Sequence, residues 1–173
     1  MRFAEIHHRT PAMACLFIVL LLLCAVRAAS ADDAGQCAAR AGSYLTGTIA
    51  QGPFFVPART LRHGVALSHT KILLRADNGQ IYDIRADNVF AVGYDAAQGA
   101  VPSPLSALHP GNRLSLCGKL YQANSGQMGM DWVHTNCDDP PRQSAPNGWL
   151  KEIGPGMLPG RNLESSEEYC NLW

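Results

Sequence analysis

The stretch TKILLRADNGQIYDIR at Thr70–Arg85 decides the fold of this chain. Its two arms, Thr70–Arg75 and Gln80–Arg85, are rich in apolar and β-forming residues and show almost no helical periodicity. Between them, Asp77-Asn78-Gly79 supplies the Asn-Gly pair that tolerates the positive φ angles of a tight hairpin turn. The stretch therefore predicts two antiparallel β-strands joined by a short turn.

Three further β-like runs and one short helix surround this hairpin. The runs are Tyr44–Ile49, ended by Gly52-Pro53, then Arg113–Tyr121 and Met130–Asn136. The helix is expected over Ser103–Leu108, with Ser103 as its N-cap and proline at its first helical position. Five strands with one short helix between the third and fourth is the element order of an OB-fold, although other small barrels share it. We predict an all-β domain, a small five-stranded OB-like barrel with one short helix and a long C-terminal tail.

The N-terminal 31 residues have the layout of a secretory signal peptide. Arg2 and Arg9 precede an uncharged stretch, and Ala29-Ser30-Ala31 offers small residues at the positions that a signal peptidase reads. The apolar centre is shorter than the about 20 residues that span a membrane, so no membrane span is expected after cleavage; an uncleaved anchor is the alternative. We expect residues 1–31 to be the signal peptide, 32–137 the barrel, and 138–173 an extended tail packed on the barrel.

Composition limits the classes of protein to which the chain can belong. Of its 173 residues 47% are hydrophobic, with 14 basic and 14 acidic side chains, which suits one globular domain and excludes a disordered chain. Loss of residues 1–31 removes three basic residues and one acidic residue, leaving 11 basic and 13 acidic among 142 residues. This slightly negative balance argues against binding nucleic acid through overall positive charge.

Four cysteines follow the predicted cleavage site, and an even number in an exported chain indicates disulfide bonds. Three pairings are possible. We expect Cys117–Cys137, which would clamp the two arms of one hairpin, and Cys37–Cys170, which would tie the ends of the mature chain together. No Cys-x-x-Cys pair is present, which argues against zinc held by cysteines. The expected location is the periplasm or the extracellular space.

The candidate catalytic residues are His134, His69 and Asn88, which stand at the ends of predicted strands that a barrel can bring together. If Cys137 pairs with Cys117, alternation along the fifth strand directs His134 into the barrel or its mouth. Such a trio can hold a metal ion or polarise a phosphate. The alternative is that these residues hydrogen-bond buried groups or form turns, as Asp87-Asn88 after the third strand can do.

Five further side chains are candidates for ligand binding. Aromatic rings in OB-folds stack on bases or sugars, and burial in the core is the alternative use of the same residues. The candidate ligand-binding residues are Trp132, Tyr121, Tyr82, Trp149 and Asn136.

Several short segments between His69 and Leu150 carry a family resemblance. They are the His69-led strand, Gly79-Gln80, Asn88, Gly118-Lys119-Leu120-Tyr121, Asp131-Trp132-Val133-His134-Thr135 and Gly148-Trp149-Leu150. These segments resemble an uncharacterised bacterial family of small exported OB-like proteins. Asp87 and Asp131 stand where that family has histidines, so the resemblance does not carry over a metal site built on those histidines. It implies the fold and export, and it implies no activity.

We expect an exported, disulfide-bonded domain that binds a ligand without chemistry, the ligand being an oligonucleotide, a glycan or an envelope protein. No cofactor is favoured. The alternative is a small metal-assisted hydrolase acting on phosphodiesters, in which a divalent metal or a histidine base activates water. A third possibility is a purely structural envelope protein. The sequence contains no Gly-x-Ser-x-Gly, phosphate-binding glycine loop or His-Glu-x-x-His motif.

Overall fold

A computed structural model of the protein describes residues 32–97, 99–137 and 140–172. The predicted signal peptide lies outside these residues. Within them, no helix combines the length and the apolar character needed to cross a bilayer.

Nine β-strands and two short helices make up the described chain. Helix α1 covers residues 32–39 and α2 covers Ser103–Ser106. The strands are β1 Ser43–Val56, β2 Leu61–Arg62, β3 Val65–Ala66, β4 His69–Ala76, β5 Ile81–Asp87, β6 Arg113–Gln122, β7 Met128–Asp131, β8 Trp149–Ile153 and β9 Pro159–Asn162. Single 3₁₀ turns occur at Asn88–Phe90, Asp95–Ala97, Pro155–Met157 and Cys170–Leu172.

Five of the strands close into a barrel in the order β1-β4-β5-β7-β6, with β6 returning to β1. Neighbours are antiparallel except for the parallel pair β5 and β7. The long strand β1 closes the ring because its first part pairs with β6 and its second part pairs with β4. Register shifts after Ile49 and Gln51 mark where it bends between the two partners. With α2 between the third and fourth barrel strands, the predicted all-β OB-like barrel is confirmed.

Strict alternation along β4 and β5 divides the core of the barrel from its outer face. Ile72, Leu74, Ile84 and Ala86 point inward and have no exposed surface, whereas their sequence neighbours point out. Burying each of the larger apolar side chains contributes about 1.5–3 kcal/mol. In α2, Leu105 is also fully buried in this core.

Three element boundaries differ from the sequence-based expectation. The first strand continues past Gly52-Pro53 to Val56. Ser103 is the first residue of α2 rather than its N-cap; Pro102 precedes the helix and offers no side-chain cap. The fifth barrel strand ends at Asp131, because Trp132 has a φ of 55° and leaves the extended conformation.

The region expected to be an extended tail contributes two strands. Strand β8 pairs with β6 along Arg113–Cys117, and β9 adds to the far edge of β8. Residues 140–172 therefore extend the sheet beyond the five-stranded barrel as well as covering it.

All four cysteines form disulfides, but the expected pairing is wrong. The bonds are Cys37–Cys117 and Cys137–Cys170. Cys117 lies beside Trp149 of β8 rather than beside β7, because β7 pairs only with the later part of β6. The end of β7 at Asp131 leaves Cys137 in the following loop, while α1 brings Cys37 onto the outer face of β6. Two disulfides fit a protein that is exported from the reducing cytoplasm.

Candidate functional site

A cleft of about 460 Å³ lies on the outer face of the barrel where β4, β5, β6 and β7 adjoin. Its lining combines charged and aromatic side chains from all four strands or their ends. The lining residues with chemical functions are His69, Asp83, Arg85, Asp87, Tyr121, Asp131 and Trp132. Alternation predicts this grouping, because the charged residues of β5 occupy the positions between its inward-pointing apolar residues.

A second hollow, of about 380 Å³, lies against the 3₁₀ turn at Asp95–Ala97 and carries no comparable chemistry. Its lining contains one carboxylate and no histidine, lysine or arginine. Two of its polar groups are already paired, since Tyr94 donates to the carbonyl of Ala66 and Asp95 accepts from Tyr169. The outer-face cleft is therefore the better candidate for a functional site.

Two of the three candidate catalytic residues converge, and they do so on Asp87. His69 stands opposite Asp87 in the register of β4 and β5, and its Nε2 lies 2.8 Å from Asp87 Oδ1. His134 arrives from the loop after β7, and its Nε2 lies 3.3 Å from Asp87 Oδ2. Burial acts to raise the pKa of Asp87, but contacts with the imidazoles of His134 and His69 outweigh it and lower that pKa. The carboxyl group is therefore ionised at neutral pH.

His134 forms the floor of this cluster and is almost completely buried, with 1% of its surface exposed. Its ring stacks on Phe90, with centroids 3.8 Å apart, and lies 5.1 Å from the ring of Trp132. Its Nδ1 is 2.7 Å from the backbone oxygen of Thr135. His134 thus reaches the cluster from the loop after β7, whereas the sequence reading expected alternation along the fifth strand to direct it there.

Asn88, the third candidate catalytic residue, faces away from the cleft. It is fully buried, donates to Ser68 Oγ at 3.0 Å and accepts from Thr70 Oγ1 at 2.6 Å. These bonds tie the turn after β5 to the start of β4. The side chain points inward because it follows Asp87, which points out, so the geometry gives Asn88 a structural role.

Among the candidate ligand-binding residues, Tyr121 and Trp132 line the cleft. The Tyr121 ring lies directly over Gly129, where an added Cβ would be 2.2 Å from Tyr121 Cζ. The Tyr121 hydroxyl donates to the backbone oxygen of Asp83 at 3.3 Å, which holds the ring against the sheet. Burial raises the pKa of that hydroxyl, and the charge of Asp83 adds to the increase.

The other three candidate ligand-binding residues do not line the cleft. Tyr82 is buried, and its hydroxyl is bonded to Asn78 and Gln80 at the hairpin turn. Trp149 is buried beside the Cys37–Cys117 disulfide. Asn136 donates to the backbone oxygen of Ala145 at 2.6 Å and so braces a loop.

Four residues of the cleft lining were not recognised as site residues from the sequence, namely Asp83, Arg85, Asp87 and Asp131. Arg85 donates through Nη2 to Asp83 Oδ2 at 2.9 Å, and Lys71 Nζ lies 3.5 Å from the same oxygen. Burial raises the pKa of Asp131, with Lys119 opposing and Asp87 reinforcing the increase. The alternation of charged and apolar residues in Asp83–Asp87 was the signal that could have revealed the acidic face.

Comparison of the chain with models of protein families gives no match, and comparison with curated proteins gives none either. In the described part of the chain, no group of three or more His, Cys, Asp or Glu side chains is arranged to hold a metal ion. The fold and site thus define a disulfide-bonded OB-like domain with an acidic and aromatic cleft.

Proposed function

We propose that this protein is an exported ligand-binding domain that binds a glycan in the outer-face cleft. The observation that carries the proposal is that Tyr121 and Trp132 line the same cleft as Asp83, Arg85 and Asp87. Aromatic faces stack on the C–H faces of sugars, while carboxylates and guanidinium groups form hydrogen bonds with hydroxyls. Oligosaccharides are among the ligands that OB-folds bind on the face of their second and third strands, which here are β4 and β5.

The charge of the cleft favours a glycan over an oligonucleotide. Asp83, Asp87 and Asp131 contribute three carboxylates, against the single guanidinium of Arg85 in the lining. Phosphates bind through cationic side chains, and they would meet repulsion from this acidic surface. Uncharged hydroxyl groups meet no such repulsion and can donate hydrogen bonds to the carboxylates.

The size of the cleft favours a glycan over an envelope protein. A stable protein interface buries about 800 Å² on each partner and uses a broad surface. The candidate site is instead a concave cleft of about 460 Å³, within the range of small-molecule pockets. One or two sugar rings match this scale.

The two disulfides support export, and we extend the proposal to the periplasm or the extracellular space as the site of action. We also propose that the chain belongs to the family of small exported OB-like proteins that its motifs resemble. The His69-led strand and the segment Asp131–Thr135, which carry part of that resemblance, both contribute to the cleft cluster.

A glycan array followed by titration of any hit tests the proposed function. We expect saturable binding that Trp132→Ala weakens at least about fivefold, since loss of a ring that stacks on a base costs about 1–3 kcal/mol and a ring that stacks on a sugar should cost a similar amount. Phe54→Ala is the matched control, because Phe54 is exposed on β1 outside the cleft lining and its loss should leave affinity unchanged. The proposal fails if no glycan binds, or if Trp132→Ala binds as the unmodified protein does. Release of shorter sugars during the titration would instead identify a hydrolase.

A further inference from the structure

The hydrogen-bonding state of His134 is constrained by its surroundings. Its Nδ1 lies 2.7 Å from the backbone oxygen of Thr135, and a carbonyl oxygen can only accept a hydrogen bond. Nδ1 must therefore carry the hydrogen. In a neutral imidazole the other nitrogen, Nε2, then carries a lone pair and no hydrogen.

That lone pair faces a second acceptor. Nε2 of His134 lies 3.3 Å from Oδ2, an oxygen of the Asp87 side-chain carboxyl group. Two acceptors at this separation repel each other, and the repulsion is strong because His134 is 99% shielded from water. The pair becomes favourable when positive charge lies between the two atoms, as an added proton or as a metal ion.

The position of His69 favours a metal ion over an added proton as the source of this positive charge. His69 presents its own Nε2 to the same carboxylate, 2.8 Å from Oδ1, so two imidazoles converge on one Asp87. With metal–ligand bonds of about 2.0–2.1 Å, neighbouring ligands of a tetrahedral ion lie about 3.3 Å apart. The 3.3 Å separation between His134 and Asp87 equals that spacing, whereas the 2.8 Å separation between His69 and Asp87 is shorter and is a direct hydrogen-bond distance. A histidine whose Nδ1–H donates to a backbone oxygen is also the usual form of a metal ligand.

One further carboxyl oxygen near the cluster lacks a hydrogen-bond partner. Oδ1 of Asp131 is buried without a partner, and Asp131 lines the same cleft as His69 and Asp87. A bound cation would supply a partner for this buried acceptor. The left-handed backbone at Trp132, between Asp131 and His134, is the kind of local strain that functional sites retain.

We propose that a divalent transition-metal ion binds between Nε2 of His69, Nε2 of His134 and the carboxylate of Asp87, with its remaining position open to the cleft. Each histidine contacts Asp87 directly, and the three groups do not surround a common point. Binding therefore requires a rotation of the His69 side chain, which is 38% exposed. Two nitrogens and one carboxylate suit ions such as Zn²⁺. The inference stands apart from glycan binding, because the ion is tested alone.

Titration with Zn²⁺ tests the site. The oxidised full chain is treated with EDTA, desalted and titrated calorimetrically with Zn²⁺. We expect one ion per chain, with affinity reduced at least about tenfold in His69→Ala and in the isosteric Asp87→Asn. His109→Ala is the control, because His109 is exposed and lies outside the cleft lining. Circular dichroism verifies that each variant is folded, and the visible spectrum with Co²⁺ reports whether nitrogen ligands bind.

Two results would overturn the inference. One is binding well below one Zn²⁺ per chain in the folded, oxidised protein, with NMR showing His134 as an imidazolium, which would make a proton the positive charge beside Asp87. The other is equal Zn²⁺ affinity in the unmodified protein, His69→Ala and Asp87→Asn, which would place the ion elsewhere. Failure of the glycan array does not affect the metal titration, because the ion is tested alone.

Discussion

Asp87 lies directly opposite His69 in the pairing of β4 with β5, and its carboxylate also contacts the buried His134. A surface histidine and a core histidine are thus joined through one side chain. The difference in burial gives the two histidines different expected roles in stability.

His134→Ala should destabilise the protein far more than His69→Ala. His134 is stacked on Phe90 in a fully packed environment, so its truncation leaves a cavity and should cost about 2–4 kcal/mol. His69 is partly exposed, and its truncation should cost about 1 kcal/mol or less. Urea denaturation of the two variants measures both values. Similar losses for the two substitutions would contradict the burial of His134.

Gly129→Ala should displace the Tyr121 ring from the cleft wall. The new Cβ would lie 2.2 Å from Tyr121 Cζ and 2.6 Å from the backbone oxygen of Asp83, so the ring or the strand must move. We expect a loss of about 1–3 kcal/mol in the free energy of unfolding. Gly35→Ala is the matched control, because nothing lies within 4 Å of its added Cβ in α1. That change should stabilise by about 0.4–1 kcal/mol, and a cost equal to that of Gly129→Ala would refute the packing argument.

Peptide mapping of the unreduced protein should recover Cys37 linked to Cys117 and Cys137 linked to Cys170. Replacing the first pair by serine should cost about 4.5 kcal/mol, and replacing the second about 3.8 kcal/mol, because the first closes the longer loop. The sequence separations are 80 and 33 residues. Chemical denaturation of the two double variants provides the comparison. Recovery of a peptide that links Cys117 to Cys137 would contradict this pairing and support the one expected from the sequence.

Glu164→Gln should stabilise the protein at alkaline pH. Burial raises the pKa of Glu164 well above its usual value of 4.5, and the charge of Asp87 adds to the increase. The folded state favours the neutral form of this carboxyl group. Its contribution to the free energy of unfolding is therefore fully present below pH 4.5 and is lost as the pH rises through the raised pKa. With EDTA present, the variant should have a higher Tm than the unmodified protein at pH 8, and the difference should close by pH 4.

The exposed Glu167 provides the control for this titration. Glu167→Gln removes the same type of charge from the same segment without changing a buried group. Its Tm should follow that of the unmodified protein at both pH values. A Glu164→Gln variant that unfolds at the same temperature as the unmodified protein at pH 8 would show that the buried carboxyl group carries no such penalty.

The sequence predicted the parts of the barrel that turn chemistry and side-chain alternation specify over a few residues. The Asn-Gly turn and the alternation on either side of it specify β4 and β5, and both strands form close to the predicted bounds. The end of β7 was not predictable in this way. Trp132 adopts a left-handed conformation that its residue type disfavours, so only its tertiary contacts explain the break.

The candidate site was predictable in part. His69 and His134 were recognised as residues that a barrel can bring together, and they do share one cluster. Asn88 was assigned to that cluster in place of its neighbour Asp87, because the sequence reading did not decide which of two consecutive residues points out. The alternation of β5 decides it, since Ala86 and Asn88 are buried and Asp87 faces the cleft.

The sequence by itself determined the order of the five barrel strands and the short helix along the chain, the central hairpin, and the presence of four cysteines able to form two disulfides. These features depend on side-chain periodicity and turn chemistry, which act over a few residues. Only the tertiary structure decided which cysteines pair and which carboxylate joins His69 to His134. Those choices depend on barrel closure, which brings the loop after β7 against the hairpin of β4 and β5, although the loop lies more than 40 residues beyond the hairpin in the chain.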